Sequence, residues 1–136
     1  MKGKRVFISG GAGVIGLELV DLLLKRGANL FVGDLKMRPE FFPPQVLYWQ
    51  GDLNDITYNE ILNFKPQIFI HLAATFERST ENYEFWDDNF MDNVNLSHHL
   101  MTIFKQLKSL ERVVFASSYL IYQPSLYQFE SQPNKP

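Results

Sequence analysis

The chain has 136 residues, 46% of them hydrophobic and 21% charged, which is the balance of one folded domain spanning residues 1–136 and not of a disordered chain. Thirteen basic against fifteen acidic side chains leave a net charge of −2, so no positive field exists to collect nucleic acid; zero cysteines exclude disulfides, thiolate metal sites and a cysteine nucleophile. No apolar run reaches the ~18 residues that span a bilayer, so neither a signal peptide nor a membrane helix is expected, and the expected location is cytoplasmic.

In chain order, Arg5-Val-Phe-Ile-Ser9 is a short apolar run stopped by Gly10, Gly11 and Gly13, which reads as a buried strand ending in a tight turn. From Val14 to Arg26 the apolar residues Ile15, Leu19, Leu22 and Leu23 recur at helical spacing, Lys25 and Arg26 suit the C-terminal dipole, and Gly27 terminates the helix. Asn29 to Leu35 resumes as a strand, which completes a right-handed βαβ unit with parallel strands. Met37 to Pro44, with its three prolines, reads as loop, and Val46 to Gln50 as a third strand ending at Gly51-Asp52. Asp55 to Phe64 reads as helix closed by Pro66, Gln67 to Ala74 as a fourth strand, and Thr75 to Asn82 as polar loop. Tyr83 to Ser109 is the longest helical stretch, Arg112 to Ser117 a fifth strand, and the chain from Gln123 onward reads as loop. Near-continuously apolar strands alternating with helices predict a doubly wound α/β fold, a parallel sheet covered on both faces.

Gly10-Gly-Ala-Gly-Val-Ile-Gly16 parses as GxxGxxG from Gly10 or as GxGxxG from Gly11. In either parse Gly10 permits the turn, Gly13 lets a pyrophosphate reach backbone N–H groups at the helix N-terminus beside Val14 and Ile15, and Gly16 lets helix and strand pack closely. The motif is weak alone and gains force from context, because it leaves a strand, opens a helix and meets Asp34 eighteen residues past Gly16. A carboxylate ending the second strand accepts from both ribose hydroxyls of an adenosine and repels a 2′-phosphate, so the expected cofactor is NAD rather than NADP. Lys36 and Arg38 are the cations that could reverse that choice.

Four further segments stand at matching places. Gly51-Asp52-Leu53 follows the third strand, His71-Leu72-Ala73-Ala74 closes the fourth, Asn93-Val-Asn95 lies in the long helix, and residues 113–122 read VVFASSYLIY. Together with the glycine turn they resemble the extended short-chain dehydrogenases, the NAD-dependent epimerase/dehydratase group that includes UDP-galactose 4-epimerase and the nucleotide-sugar 4,6-dehydratases. The resemblance spans essentially the whole chain. It implies a Rossmann-type sheet in strand order 3-2-1-4-5, Asp52 and Leu53 against the adenine, Leu72, Ala73 and Ala74 beside the passing cofactor, and Asn93 in the network on the cofactor side. It also places Ser118 on the substrate-facing serine, as the catalytic residue whose hydroxyl orients a reacting sugar oxygen. His71 itself is expected to be packed or hydrogen-bonded in the sheet rather than catalytic. Two departures from the family pattern are visible: Leu96-Ser97 stands where Gly-Thr is usual, and none of the six tyrosines is followed four places later by lysine. The Tyr-x-x-x-Lys pair that serves the family as acid/base is thus absent, and the chain is expected to be an N-terminal portion lacking the substrate-binding part.

The implied activity is that of an NAD-dependent epimerase, dehydratase or reductase, an isomerase or oxidoreductase acting on a nucleotide-activated sugar, with this portion alone inactive. The alternatives are a non-catalytic NAD-dependent sensor or partner-binding protein of the same fold, and a methyltransferase built on a similar glycine turn. No metal is expected: His98 and His99 are adjacent, with no i, i+4 ligand to complete a site. The acidic residues Glu77, Glu81, Glu84, Asp87, Asp88 and Asp92 read as a favourable start to the long helix. That helix, residues 83–109, carries two apolar stripes, Leu96-Leu100-Ile103-Leu107 and Phe90-Val94-Met101-Phe104. One sheet face cannot cover both, so a homodimer through this helix is expected, with the fifth strand left uncovered.

Overall fold

The computed structural model describes residues 1–75 and 86–117, and in it the alternation along β1 (Arg5–Ser9) divides the protein into two cores. Val6 and Ile8 point to one side of the sheet and Phe7 to the other, all three fully buried. β2 (Asn29–Asp34), β3 (Leu47–Gln50), β4 (Ile68–His71) and β5 (Arg112–Phe115) join β1 in one five-stranded sheet of order β3-β2-β1-β4-β5, every pairing parallel. The register pairs Ser9 with both Gly33 and His71, so β1, β2 and β4 end level with one another. Between β1 and β4 the strand order reverses direction, and in an open parallel sheet that switch point leaves a crevice beyond the strand ends.

On the Val6 and Ile8 side, α1 (Val14–Lys25) seats Val20 and Leu23 against Leu30, Val32 and Ile70. On the Phe7 side, α2 (Tyr58–Phe64) contributes Ile61, and α4 (Leu96–Phe104) contributes Leu96, Leu100, Ile103 and Phe104. Rings dominate this second core: Phe69 and Phe104 stack with centroids 3.9 Å apart, and Phe7 meets both at 5.8 and 5.2 Å. Truncating a ring at such a position costs about 3–5 kcal/mol.

Several expectations are corrected. The stretch 83–109 is not one regular helix: α3 (Trp86–Asn89) runs into a π-helical turn at Phe90–Asn95 and then into α4, while Tyr83, Glu84 and Phe85 lie outside the described residues. Ser97 donates back to the Asn93 carbonyl at 2.5 Å, the kind of side-chain bond that competes with the helical ladder. At the far end the N–H groups of Gln106 and Leu107 bond three residues back, tightening α4 to a stop well before Ser109. Leu107 nonetheless remains buried from the turn that follows. Phe104, assigned to the second stripe, is fully buried in the core, whereas Phe90 and Val94 are 46% and 55% exposed. On α1 the buried face is Gly16, Val20 and Leu23, while Ile15 and Leu22 face outward. Gly16 explains the rotation: a Cβ there would stand 2.5 Å from the Gly11 Cα, so the helix meets the sheet on its glycine side. α2 starts at Tyr58 rather than Asp55, because Thr57 caps it, and β4 ends at His71 rather than Ala74. β5 is exposed along its length, Val113, Val114 and Phe115 at 39%, 44% and 55%.

Candidate functional site

The ends of β1, β2 and β4 surround a cleft of about 250 Å³. β1 delivers the glycine turn. Gly10 adopts φ +74, and a Cβ on it would stand 2.6 Å from the Ala73 nitrogen, so both the left-handed backbone and the close approach of β4 require glycine. Gly13, the N-cap of α1, has ordinary extended dihedrals, and a Cβ on it would meet only the Gly10 carbonyl at 3.3 Å. That contact is tight but single, so beyond sparing the Gly10 carbonyl, glycine here keeps open the space in front of the helix.

That space faces unmet donors. α1 has no side-chain cap and no acidic residue in its first turn, and its first backbone bond runs from the Leu17 N–H to the Gly13 carbonyl. Among the described residues the N–H groups of Val14, Ile15 and Gly16 have no partner. Three adjoining donors at the positive end of a helix dipole form a receptor for an anionic group. Val14 and Ile15 are 87% and 69% exposed and do not line the cleft; of the helix start it is Gly13, the N-cap, that does.

Asp34 closes the opposite wall. Its Oδ2 accepts from the Ala12 N–H at 2.8 Å and its Oδ1 from the Lys36 N–H at 2.9 Å, which ties the glycine turn to the end of β2. A carboxylate has about four lone-pair sites, so each oxygen keeps room for one hydroxyl donor. Lys36 lines the cleft, and its backbone is steadied by the Tyr48 phenol, which donates to its carbonyl at 2.8 Å. Burial and the charge of Asp34 push that phenol up to about 12, so it remains a donor. Arg38 is committed elsewhere: its guanidinium donates to the carbonyls of Val46, Phe42 and Pro43 at 2.7, 3.1 and 2.8 Å.

Asp52 and Leu53 line the same cleft, Leu53 buried beneath Gly33 and Asp52 exposed with its carboxylate bonded to Asn54. Leu72, Ala73 and Ala74 form the β4 wall. Behind it lies a buried hydrogen-bonded chain. The Ser97 hydroxyl spends its proton on the Asn93 carbonyl, so His71 donates to it from Nε2 at 2.9 Å and accepts at Nδ1 from Ser9, at 2.5 Å. Burial holds the imidazole below its ordinary value, so His71 is a neutral structural link, as expected. Asn93 does not line the cleft; its amide grips the backbone of Thr75. Gly16 lies behind the turn, and Ser118 lies outside the described residues. The cleft adds Leu35, Asn54 and Thr75, which motif matching did not single out, and Lys36, Asp92 and Leu96, which the sequence marked on other grounds. Among the described residues no group of three side chains could hold a metal, and no helix is long and apolar enough to cross a membrane.

An anion receptor at the start of α1, a paired-acceptor carboxylate at the end of β2 and an uncluttered crossing between them define a dinucleotide-binding α/β protein of the Rossmann type. The family model of the NAD-dependent epimerases and dehydratases matches residues 6–136, and the chain belongs to that family. It is 29% identical to the CDP-glucose 4,6-dehydratase of Salmonella typhimurium over 144 aligned positions, covering 99% of this chain and 40% of that protein. Among solved structures it superposes on MoeE5 in complex with UDP-glucose and NAD, with a TM-score of 0.74 and 30% identity over 88% of this chain and 38% of that one. The Brucella ovis UDP-glucose 4-epimerase in complex with NAD gives a TM-score of 0.73 and 25% identity, over 88% and 37%. The chain thus spans about two fifths of the length of these relatives.

Proposed function

We propose that this chain is the NAD-binding part, residues 1–136, of an epimerase or dehydratase acting on a nucleotide-activated sugar. The observation that carries the reading is the glycine turn, whose Gly10 and Gly13 line one cleft with Asp34, at the start of a helix whose Val14, Ile15 and Gly16 N–H groups have no partner among the described residues. The donors take the pyrophosphate, Asp34 takes the ribose diol, Asp52 and Leu53 flank the adenine, and beside Leu72 the small side chains of Ala73 and Ala74 let the cofactor pass. With Arg38 engaged by the loop carbonyls, Asp34 decides for NAD over NADP. NAD supplies a hydride acceptor that can return the hydride. In this reading Ser118 orients the sugar hydroxyl, and Asn93 keeps the β4 wall in place. In this reading the chain is cytoplasmic and self-associates as a homodimer through the segment 83–109, within which Phe90, Met91 and Val94 stand 46%, 48% and 55% exposed.

No tyrosine in the sequence has its Tyr-x-x-x-Lys lysine, so the 136-residue chain binds without turning over. The same observation favours a second reading, an NAD-dependent sensor. Calorimetric titration with NAD, NADP and S-adenosylmethionine tests the cofactor assignment. The expected result is binding of NAD, weaker binding of NADP and none of S-adenosylmethionine. Tighter binding of NADP, or no binding of NAD, overturns it. A longer chain that carries the tyrosine and lysine and converts a sugar nucleotide favours the enzyme; one that lacks them and converts nothing favours the sensor.

A further inference from the structure

The π-helical turn Phe90–Asn95 buries none of its side chains, so core packing does not account for it. Its polar residues reach both walls of the cleft instead. On one side the Asn93 amide holds Thr75, accepting from the N–H at 2.8 Å and donating to the carbonyl at 3.0 Å, with a further bond from its Nδ2 to Asn89 Oδ1 at 3.2 Å, while Asp92 accepts from the Thr75 hydroxyl at 2.8 Å. On the other side lies the loop after β3. Asp52 accepts from both the backbone N–H and the Nδ2 of Asn54, at 2.9 and 3.1 Å. A carboxylate only accepts, so the Asn54 amide must turn its nitrogen to Asp52 and its oxygen outward, where Asn95 donates to it at 3.0 Å. One turn later His99 donates to the Ile56 carbonyl at 2.9 Å and holds the same loop. Asn93 and Asn95 are two residues apart, so their side chains leave the helix axis on roughly opposite sides. Asn93 and Asn95 thereby address opposite walls from one turn.

We propose that this turn is a brace that sets the width of the cleft. Asn95 is the positioning residue for the wall at Asp52 and Asn54, against the adenosine half of the dinucleotide, and Asn93 for the wall at Thr75, past which the other half runs. The inference rests on the reading of the cleft as an NAD site. Titrations of AMP and of NAD into the parent chain, Asn95→Ala and Asn93→Ala test it, with melting temperatures recorded for each. Loss of one shielded hydrogen bond sets the expected scale, about fivefold weaker binding. Asn95→Ala loses that factor for AMP and NAD alike, whereas Asn93→Ala loses it for NAD and keeps the parent affinity for AMP. If Asn95→Ala fails to fold, Asn95→Asp keeps the shape without the donor and is held to the same result. An Asn95 variant with parent affinity for AMP overturns the inference. Equal losses for both ligands in both variants, in step with a lowered melting temperature, also overturn it, because that is the signature of a merely structural role. A parent chain that binds neither ligand overturns the functional reading, and the inference with it.

Discussion

α1 and α2 begin in opposite ways. Thr57 caps α2, its side chain accepting from the Glu60 N–H while the Glu60 carboxylate accepts at 2.7 Å from both the Thr57 N–H and the Thr57 hydroxyl. The Trp49 indole adds a further bond to that carboxylate at 2.8 Å. α1 begins at Gly13 with no side-chain cap and no acid in its first turn, although it is the longer helix and packs against the centre of the sheet. A capped terminus is finished by its own chain. An uncapped one beside an open cleft has donors left for something else, and the difference separates a helix start that serves the fold from one that serves a ligand.

Filling the space before α1 breaks the comparison most sharply. Gly13→Val places a branched side chain where the phosphates approach the backbone, and the expected loss of NAD affinity is a hundredfold or more, on the order of the ~3 kcal/mol that several charge-assisted bonds supply. Circular dichroism should show the fold retained, since the added Cβ meets one group, the Gly10 carbonyl at 3.3 Å, and needs only a small shift there. Asp34→Ala comes next. It leaves the Ala12 and Lys36 N–H groups without their acceptor, so stability should fall by about 1–3 kcal/mol in urea unfolding, and the preference for NAD over NADP should narrow. Thr57→Ala acts on the other terminus: stability falls by about 1 kcal/mol while NAD affinity measured by calorimetry stays at the parent value.

The smallest effect is in acid. Hydrogen bonds from the Thr57 backbone and hydroxyl, and then from Trp49, hold the Glu60 carboxyl below its ordinary value of 4.5. The folded chain therefore binds fewer protons here than the unfolded chain, so this contribution is present above the ordinary value and is lost as pH falls through the lowered one. Unfolding followed below pH 5 should show a shallow loss of stability that Thr57→Ala reduces.

The alternation of apolar strands with helices was legible because it is a local pattern, and the glycine turn and Asp34 were legible as the ends of β1 and β2 because their context fixed where they fall. The strand order 3-2-1-4-5 came through resemblance and stands as the observed topology. What was not legible depends on contacts distant in sequence. The Asp34 tie to Ala12 spans twenty-two residues, and nothing in the spacing distinguishes a carboxylate that only receives a ribose from one that also latches the turn. The outward face of α1 was misassigned because Ile15 and Leu22 outrank Gly16 in hydrophobicity, while the close approach to Gly11 favours the residue with no side chain. The π-helical turn is likewise invisible to a periodicity count, since it depends on Ser97, Asn93 and Thr75 finding one another.

The contrast between the two helix starts can be read residue by residue from backbone amide resonances of the isotopically labelled chain as NAD is added. The expected result is that the largest shifts fall on Val14, Ile15 and Gly16, with Ala12 and Lys36 following as the Asp34 carboxylate takes up the ribose, while Thr57 and Glu60 remain where they were. Shifts centred on the start of α2, or a saturating titration that leaves Val14 and Ile15 unmoved, would contradict the account.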